Sequence, residues 1–247
     1  MTAIYGLIGK KLGHSFSKNY FMEKFHAEHI DAVFENFEMD DIKEFASFQE
    51  ENPHLRGLSV TIPYKEAILP YLDALSPNAQ AVGAVNCIAF RDGLAVGHNT
   101  DVIGFRDSLA EVYTAEPGGK ALILGTGGAA KAVLYALQHY FEFDHILHVS
   151  RNPVGDDTIG YTQLAQEGLG GYRLIVNTTP LGMFPQVDGC PDLDFESLQA
   201  DCFVFDLIYN PEETQLLKAA QARGCLTSNG MDMLIRQAEA SWEIWGV

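Results

Sequence analysis

A glycine-rich turn stands between a short apolar run and a helix-forming segment in the second half of the chain. Lys120–Leu124 is typical of a buried strand, and Gly125-Thr126-Gly127-Gly128-Ala129-Ala130 follows it directly. In this spacing the first glycine allows a tight turn, and the second lets backbone approach a pyrophosphate. The helix that follows would offer its N-terminal N–H groups to the phosphates. The pattern predicts a dinucleotide site at Gly125, Gly127, Gly128 and Ala129, with a purely structural turn as the alternative.

The end of the next predicted strand, which should lie near the adenosine ribose, carries Ser150-Arg151-Asn152. An enzyme that uses NAD usually places an acidic residue there to accept from the ribose 2′-hydroxyl. Serine does not repel a 2′-phosphate and Arg151 can pair with one, so Ser150 and Arg151 favour NADP over NAD. A solvated surface arginine is the alternative. Asp156 and Asp157 follow closely and weaken the preference for NADP.

A lysine and an aspartate in the first half of the chain could form a proton-transfer pair. Lys65 follows Thr61-Ile62-Pro63-Tyr64 at the carboxyl end of a predicted strand, the edge where ligands bind in α/β proteins. Asp101 lies in the run Gly97–Gly104. If the two meet, the aspartate can hold the lysine while the lysine moves a proton. A structural ion pair is the alternative, and the two residues by themselves favour it.

Two hydroxyl groups stand where the first helix should begin. Ser15 and Ser17 lie between a predicted strand, Ile4–Ile8, and a predicted helix, Lys18–His29. They can cap the helix, with Ser17 as the expected N-cap, or bind the carboxylate of a ligand at its N-terminus. His14 beside them is interpreted as a loop residue.

The elements around these residues alternate between strand and helix, which indicates parallel sheets covered by helices. Short apolar runs are predicted as strands near residues 33–37, 58–62, 85–90 and 94–97, and again near 120–124, 145–150, 174–177 and 203–206. The last helix is predicted over Gly230–Trp245 because its apolar residues form one stripe. We therefore expect an α/β protein with two lobes, of which the second is a Rossmann-like, doubly wound nucleotide-binding lobe.

Composition narrows the classes of function. The 247 residues are 47% apolar and 20% charged, which is ordinary for a globular protein, and no apolar run approaches the roughly 20 residues of a membrane span. Sixteen basic and 33 acidic residues give a net charge of −17, which disfavours nucleic-acid binding. The N-terminus does not resemble a secretory signal, and the four cysteines suggest neither disulfides nor zinc. A cytoplasmic protein without a metal is the expectation.

Seven segments of the chain, in order and over nearly its whole length, resemble those of the shikimate/quinate dehydrogenase family. They are His14-Ser15-Phe16-Ser17-Lys18, Ser59–Lys65, Gly83–Asn86, Asn99–Gly104, Asn177–Met183, Asp206–Pro211 and Asn229–Ala238. Three features depart from the family pattern. Ser59 stands where many members have asparagine, Ser150-Arg151-Asn152 replaces Asn-Arg-Thr, and little chain separates Arg151 from Leu174.

The resemblance implies the NADP-dependent reduction of 3-dehydroshikimate to shikimate. It implies a substrate-binding and catalytic lobe over residues 1–101, completed by helix 230–247, and an NADP-binding Rossmann lobe over residues 102–229. Lys65 would donate the proton or stabilise the alkoxide, and Asp101 would orient it. The implied substrate residues are Ser15, Ser17, Thr61, Asn86, Tyr209 and Gln237. The implied cofactor residues, besides the glycine turn, Ser150 and Arg151, are Thr178, Met183, Gly230 and Met233.

Two other functions remain compatible with these residues. A quinate or dual quinate/shikimate dehydrogenase would share nearly all of them and often prefers NAD. A non-catalytic nucleotide-binding regulator could use the same fold, but it would have no need for both Lys65 and Asp101. In each case the expected partners are small molecules, and the chain is expected to be a monomer or a homodimer.

Overall fold

The computed structural model describes residues 2–13 and 15–246, so His14, which the sequence interpretation treated as a loop residue, lies outside the described residues. The helices are α1 Phe16–Ala27, α2 Phe45–Glu51, α3 Tyr64–Ala67, α4 Pro77–Val82, α5 Asp101–Val112, α6 Gly128–Tyr140, α7 Tyr161–Glu167, α8 Gln215–Ala222 and α9 Met231–Trp245. The strands are β1 Ala3–Gly9, β2 Ala32–Glu38, β3 Leu55–Val60, β4 Ala74–Leu75, β5 Cys87–Arg91, β6 Leu94–His98, β7 Lys120–Leu124, β8 His145–Val149, β9 Thr158–Ile159, β10 Tyr172–Asn177, β11 Phe203–Asp206 and β12 Leu226–Ser228. The predicted α/β class is confirmed, and none of the described helices could span a membrane.

The chain divides into two compact units. The first contains the residues up to Thr100 together with those from Ala238 onward, and the second contains Asp101–Gln237. Helix α9 therefore belongs to both. Its first part packs within the second unit, where a Cβ on Gly104 of α5 would fall 2.6 Å from the carbonyl oxygen of Met233. The division between the two compact units therefore falls within α9, between Gln237 and Ala238.

The first unit is built on a mixed sheet with the strand order β2-β1-β3-β5-β6-β4. Strands β1 and β3 are parallel, whereas β5 is antiparallel to β3, with Cys87 opposite Ser59. As a result, the ends of β1 and β3 and the start of β5 lie at one edge of the sheet. An aromatic cluster fixes the end of α9 on this unit, and it consists of Tyr5, Phe21, Phe25, Phe34, Trp242 and Trp245. Trp245 also donates from Nε1 to the carbonyl of Ile88 at 3.0 Å.

Two local predictions in the first unit are corrected by the structure. Helix α1 begins at Phe16, and its N-cap is Ser15 and not Ser17, because the Ser15 hydroxyl accepts from the Lys18 amide at 3.2 Å. Ser17 therefore lies within the first turn. Strand β3 ends at Val60 and not at Ile62, because the Thr61 carbonyl already accepts from the Tyr64 amide in the turn that opens α3.

The second unit is a parallel sheet with the strand order β12-β11-β10-β7-β8-β9. Its described strand pairs are all parallel, and this order is that of a doubly wound dinucleotide-binding fold. Chain order reverses between β7 and β10, so the carboxyl ends of these strands form the switch point where ligands bind in such folds. The glycine turn follows β7, and Thr178 follows β10. The Rossmann-like lobe is confirmed.

Candidate functional site

The glycine turn after β7 has the backbone geometry that its sequence predicts. Gly125 has φ +111°, a region in which residues with side chains are strained, and its amide donates to the Val149 carbonyl at 2.9 Å. A Cβ at this position would fall 2.7 Å from the hydroxyl oxygen of Thr178. Thr178 is held there because its hydroxyl and its amide both donate to the Leu124 carbonyl, at 2.7 and 3.0 Å. The second unit therefore brings together the glycine turn and Thr178.

The N-terminus of α6 is suited to an anion. Gly127 is its N-cap and makes no side-chain hydrogen bond to the first turn, so the helix relies on other acceptors for its first N–H groups. A Cβ on Gly127 would have no atom within 4 Å, which means that this side of the turn opens into free space. Gly128 and Ala129 form the first residues of the helix. This arrangement fits a pyrophosphate, which the amides and the helix dipole would attract.

A histidine that the sequence interpretation missed supports this turn. His148 of β8 is 9% exposed, and its Nδ1 lies 2.9 Å from the carbonyl oxygen of Gly125. Because a carbonyl only accepts, Nδ1 must carry the proton in this contact. The residue ties β8 to the turn after β7. The only signal in the sequence was a polar residue near the end of an apolar strand, and that signal does not identify a partner 23 positions away.

The region beyond β8 contains the residues expected near the adenosine ribose. The Ser150 hydroxyl accepts from the Asn152 amide at 3.2 Å and so shapes the turn. Arg151 is exposed, as are Asp156 and Asp157. Arg151 and Tyr161 line an open groove of about 900 Å³. By its volume the groove has room for a nucleoside.

The predicted substrate residues of the first unit gather at one edge of its sheet. The Thr61 amide, directly after β3, donates to the Ile8 carbonyl near the end of β1 at 2.9 Å. The Val60 amide donates to the Asn86 carbonyl at 2.8 Å, and the Val85 amide donates to the Lys65 carbonyl at 2.7 Å. These backbone contacts place Thr61, Lys65 and Asn86 beside one another. Ser15 and Ser17 open α1 a few residues after β1.

The helical turn that carries Lys65 is fixed by its neighbour. Tyr64 is buried, and its hydroxyl donates to the Met39 carbonyl at 2.5 Å. Burial raises the pKa of Tyr64 above its ordinary value, so the phenol stays protonated as this contact requires. Lys65 itself is partly exposed. The buried tyrosine therefore anchors α3, the helix that carries the partly exposed Lys65.

A buried polar cluster joins Asn86 to the end of the first unit. The Asn86 side-chain oxygen accepts from the Thr100 amide at 2.6 Å, and the Asn86 Nδ2 donates to the Thr100 hydroxyl at 3.0 Å. The Thr100 hydroxyl also lies 3.0 Å from that of Ser241 on α9. The three residues are at most 3% exposed. Asp101, the next residue, begins α5 and is also buried, so Asn86 fixes the peptide that leads into it.

A second buried cluster supports the loops that follow β10 and β11. Asp206 is fully buried, and its carboxylate accepts from the Asn177 side chain at 2.9 Å and from the Thr214 hydroxyl at 2.7 Å. Met183, in the first loop, is 43% exposed. Tyr209, in the second loop, is partly buried, and burial raises the pKa of its phenol. The sequence indicated these loops but not the carboxylate that connects them.

The start of α9 carries the remaining predicted residues. Gly230 packs so closely on the Leu207 carbonyl that a Cβ would clash with it, and its amide donates to the Ile208 carbonyl at 3.1 Å. Met233 is 7% exposed. The Gln237 side chain is partly exposed and donates to the Leu234 carbonyl at 2.9 Å. Glycine is thus required at 230 because the backbone there approaches that of Leu207 too closely for a side chain.

Comparisons with known proteins give a consistent result. A family model described as the shikimate dehydrogenase substrate binding domain matches residues 7–88. The NADP(+) shikimate dehydrogenase of Carboxydothermus hydrogenoformans is 34% identical, over 99% of this chain and 91% of the relative. A crystal structure of a shikimate dehydrogenase in complex with NADP+ has a TM-score of 0.89 and 33% identity, and the match covers 99% of this chain and 90% of the other. The quinate dehydrogenase of Corynebacterium glutamicum, in complex with NAD, has a TM-score of 0.87 and 29% identity, covering 99% and 94% of the two chains.

Proposed function

Because the chain belongs to the shikimate dehydrogenase family, we propose that it interconverts 3-dehydroshikimate and shikimate with NADP, in the biosynthesis of aromatic amino acids. The observation that carries the proposal is the glycine turn of the second unit, which follows a parallel strand, leaves Gly127 open and begins a helix. A dinucleotide site of this kind, in the same chain as the family's substrate domain, is what a dehydrogenase needs.

NADP would be held by the second unit. Its pyrophosphate would lie against Gly125, Gly127, Gly128 and Ala129, and the remaining cofactor residues would be Ser150, Arg151, Thr178, Met183, Gly230 and Met233. When bound, the cofactor supplies a hydride to the ketone carbon or removes one from the alcohol. The neutral hydroxyl of Ser150 and the exposed guanidinium of Arg151 support NADP over NAD, because neither repels a 2′-phosphate.

Residues 1–101, with the C-terminal helix, would supply the proton and hold most of the substrate. Lys65 would donate a proton to the carbonyl oxygen as it becomes an alkoxide, and Asp101 would orient the lysine and contact a hydroxyl of the substrate. We therefore propose that the residues up to 101, with the C-terminal helix, form the substrate-binding and catalytic domain, and that residues 102–229 form the NADP-binding domain. No metal is required for this chemistry.

The substrate carboxylate would lie at the N-terminus of α1. Ser15 already accepts from the Lys18 amide, but a hydroxyl that accepts one hydrogen bond can still donate its proton to a carboxylate. Ser17, two residues later, would provide a second donor, and the helix dipole would add to the attraction. Local donors of this kind allow a chain of net charge −17 to hold an anion. Thr61, Asn86, Tyr209 and Gln237 would bind the remaining oxygens.

A steady-state assay that crosses shikimate and quinate with NADP+ and NAD+ tests the proposal. We expect the highest kcat/KM for shikimate with NADP+. Lys65→Ala, purified in the same way, should lower kcat by about 10²–10⁴-fold and so exclude a contaminating enzyme of the host. Lys43→Ala is the matched control, because Lys43 is a surface lysine of the same unit with 79% of its side chain exposed, and it should retain full activity.

The other outcomes of this assay correspond to the other functions. A higher kcat/KM for quinate with NAD+ would indicate a quinate dehydrogenase, like the structural relative from C. glutamicum. Binding of NADPH without turnover of either alcohol would indicate a nucleotide-binding regulator. Under the proposed function the partners are small molecules, and a cytoplasmic location and a monomeric or homodimeric state remain predictions, which light scattering and fractionation would test.

A further inference from the structure

Asp206 stands at the end of β11, the strand next to β10, and is fully buried. Its Oδ1 accepts from the Asn177 Nδ2 at 2.9 Å and from the Ile208 amide at 3.1 Å. Its Oδ2 accepts from the Thr214 hydroxyl at 2.7 Å. These three donors come from three different segments of the second unit. One carboxylate therefore connects the end of β10, the loop after β11 and the N-terminus of α8.

The contact with Asn177 extends into the loop that carries Thr178 and Met183. The Asn177 side-chain oxygen accepts from the Thr179 amide at 3.0 Å and from the Thr179 hydroxyl at 2.7 Å. Because Asn177 is fully buried and its amide nitrogen is bound to Asp206, the orientation of the amide group is fixed. The path from Asp206 to the backbone of the Thr178 loop therefore consists of buried, directed hydrogen bonds.

The same carboxylate also fixes the loop that carries Tyr209. Its contact with the Ile208 amide determines the backbone one residue before Tyr209. Thr214 ends this loop and caps α8, since its hydroxyl oxygen accepts from the Leu217 amide at 3.3 Å. The same hydroxyl donates its proton to the Asp206 Oδ2 at 2.7 Å. The two loops thus share one acceptor.

The hydrogen-bond pattern fits an ionised carboxylate. The three groups that contact Asp206 all donate to it in the structure, as an acceptor-only carboxylate allows. Burial raises the pKa of Asp206 above its ordinary value, and the contacts with Thr214, Ile208 and Asn177 partly offset this rise. Keeping a charge away from water is costly, and a buried charge is usually retained where it organises several partners.

We propose that Asp206 is a positioning residue for hydride transfer, because its buried carboxylate holds together the two loops that carry Thr178, Met183 and Tyr209. The inference rests on the proposed function, under which Thr178 and Met183 contact the cofactor and Tyr209 contacts the substrate. Asp206 itself contacts neither. Its effect is geometric, and a misplacement of about 1 Å in such a site costs on the order of a hundredfold in rate.

Asp206→Asn tests the proposal, because it keeps the shape and removes the second acceptor. The new amide nitrogen would face the Thr214 hydroxyl, whose proton then loses its acceptor. We expect the dissociation constant of NADPH, measured by its fluorescence, to rise about tenfold, and kcat per NADPH-binding site to fall by about tenfold to hundredfold. A merely structural defect would reduce the number of binding sites and leave both values per site unchanged. Asp201→Asn is the control, because Asp201 forms an exposed ion pair with Arg173 in the same unit.

Two variants of Thr214 test the proposal if Asp206→Asn does not fold. Thr214→Val removes the hydroxyl bond to the carboxylate, and Thr214→Ser keeps it. Loss of NADPH affinity in the valine variant with recovery in the serine variant supports the proposal. Folded Asp206→Asn that matches Asp201→Asn in both values, or equal affinities in the two Thr214 variants, overturns it. A wild-type protein that binds NADPH but turns over no shikimate refutes the proposed function, and the affinity comparisons still test Asp206.

Discussion

Replacement of Thr100 by valine tests whether the buried cluster of Asn86, Thr100 and Ser241 stabilises the first unit and orients Asn86 for the substrate. Valine has nearly the shape of threonine, so the packing of this buried position is retained and only the hydroxyl is lost. Three contacts depend on that hydroxyl, which accepts from the Asn86 Nδ2 at 3.0 Å, donates to the Asn86 Oδ1 at 3.2 Å and lies 3.0 Å from the Ser241 hydroxyl. The backbone contact from the Thr100 amide to Asn86 remains.

The expected loss of stability follows from the burial of the three residues. Asn86 is 3% exposed, and Thr100 and Ser241 are fully buried, so water cannot replace the lost partner. Removing one partner of a buried hydrogen bond costs about 1–3 kcal/mol, and because Asn86 and Ser241 both lose a partner, the expected loss is about 2–6 kcal/mol. For a protein of this size each kcal/mol lowers Tm by about 2–4 °C. Thr100→Val should therefore lower Tm by at least about 4 °C.

Calorimetry and kinetics together check this prediction. Thr100→Ser keeps the hydroxyl and is the control for the lost methyl group. Ser241→Ala completes a double-mutant cycle, in which we expect a coupling of about 0.5–3 kcal/mol with Thr100→Val because both remove the same contact. The KM for shikimate should rise in Thr100→Val, since Asn86 loses a partner that orients it, while NADPH affinity should not change. A valine variant as stable as the serine variant would refute the reasoning.

Three further predictions concern the reaction, the cofactor and pH. Lys65→Ala should lower kcat about 10²–10⁴-fold, and its loss should be non-additive with that of Asp101→Asn; additive losses in kcat/KM would mean that the residues act separately. Arg151→Ala should raise the KM for NADP+ about tenfold, the lower end for a charge-assisted contact because Arg151 is exposed, and a parallel rise for NAD+ would contradict a contact with the 2′-phosphate. Burial and, secondarily, Arg91 lower the pKa of His98, so stability should fall as pH drops below the ordinary histidine value of about 6.5. Urea titrations of wild type and His98→Gln should show that the variant loses less stability than wild type over this range, and equal losses would exclude His98.

Features of the structure that depend on residues close together along the chain could be predicted from the sequence. The glycine turn was predictable, because a strand, a glycine with positive φ and a helix follow one another within a few residues. The parallel, Rossmann-like sheet of the second unit was predictable from the same alternation of strand and helix. The register of a helix start is less certain, and the N-cap of α1 is Ser15 where the sequence favoured Ser17, because either hydroxyl can cap a helix.

The sequence was insufficient where the partner of a polar group lies far along the chain. His148 and Gly125 are 23 positions apart, and Thr100 and Ser241 are 141 positions apart. No local pattern distinguishes a histidine or a serine that has such a partner from one that faces solvent. The preference for NADP at Ser150 and Arg151 is a separate case, because it depends on a contact with the ligand and not on a contact within the chain.

The two buried clusters use the same arrangement in the two units. Asn86 accepts from the amide of Thr100 at 2.6 Å and from its hydroxyl at 3.2 Å, and Asn177 accepts from the amide of Thr179 at 3.0 Å and from its hydroxyl at 2.7 Å. The amide nitrogen also donates in both clusters, from Asn86 to the Thr100 hydroxyl and from Asn177 to Asp206. Aspartate could not replace either asparagine, since a carboxylate has no N–H to donate and would add a charge. A buried amide therefore fixes a polar loop at the edge of a sheet without adding charge. Neutrality matters because the chain already has a net charge of −17 and is expected to bind anions, which further negative charge would repel.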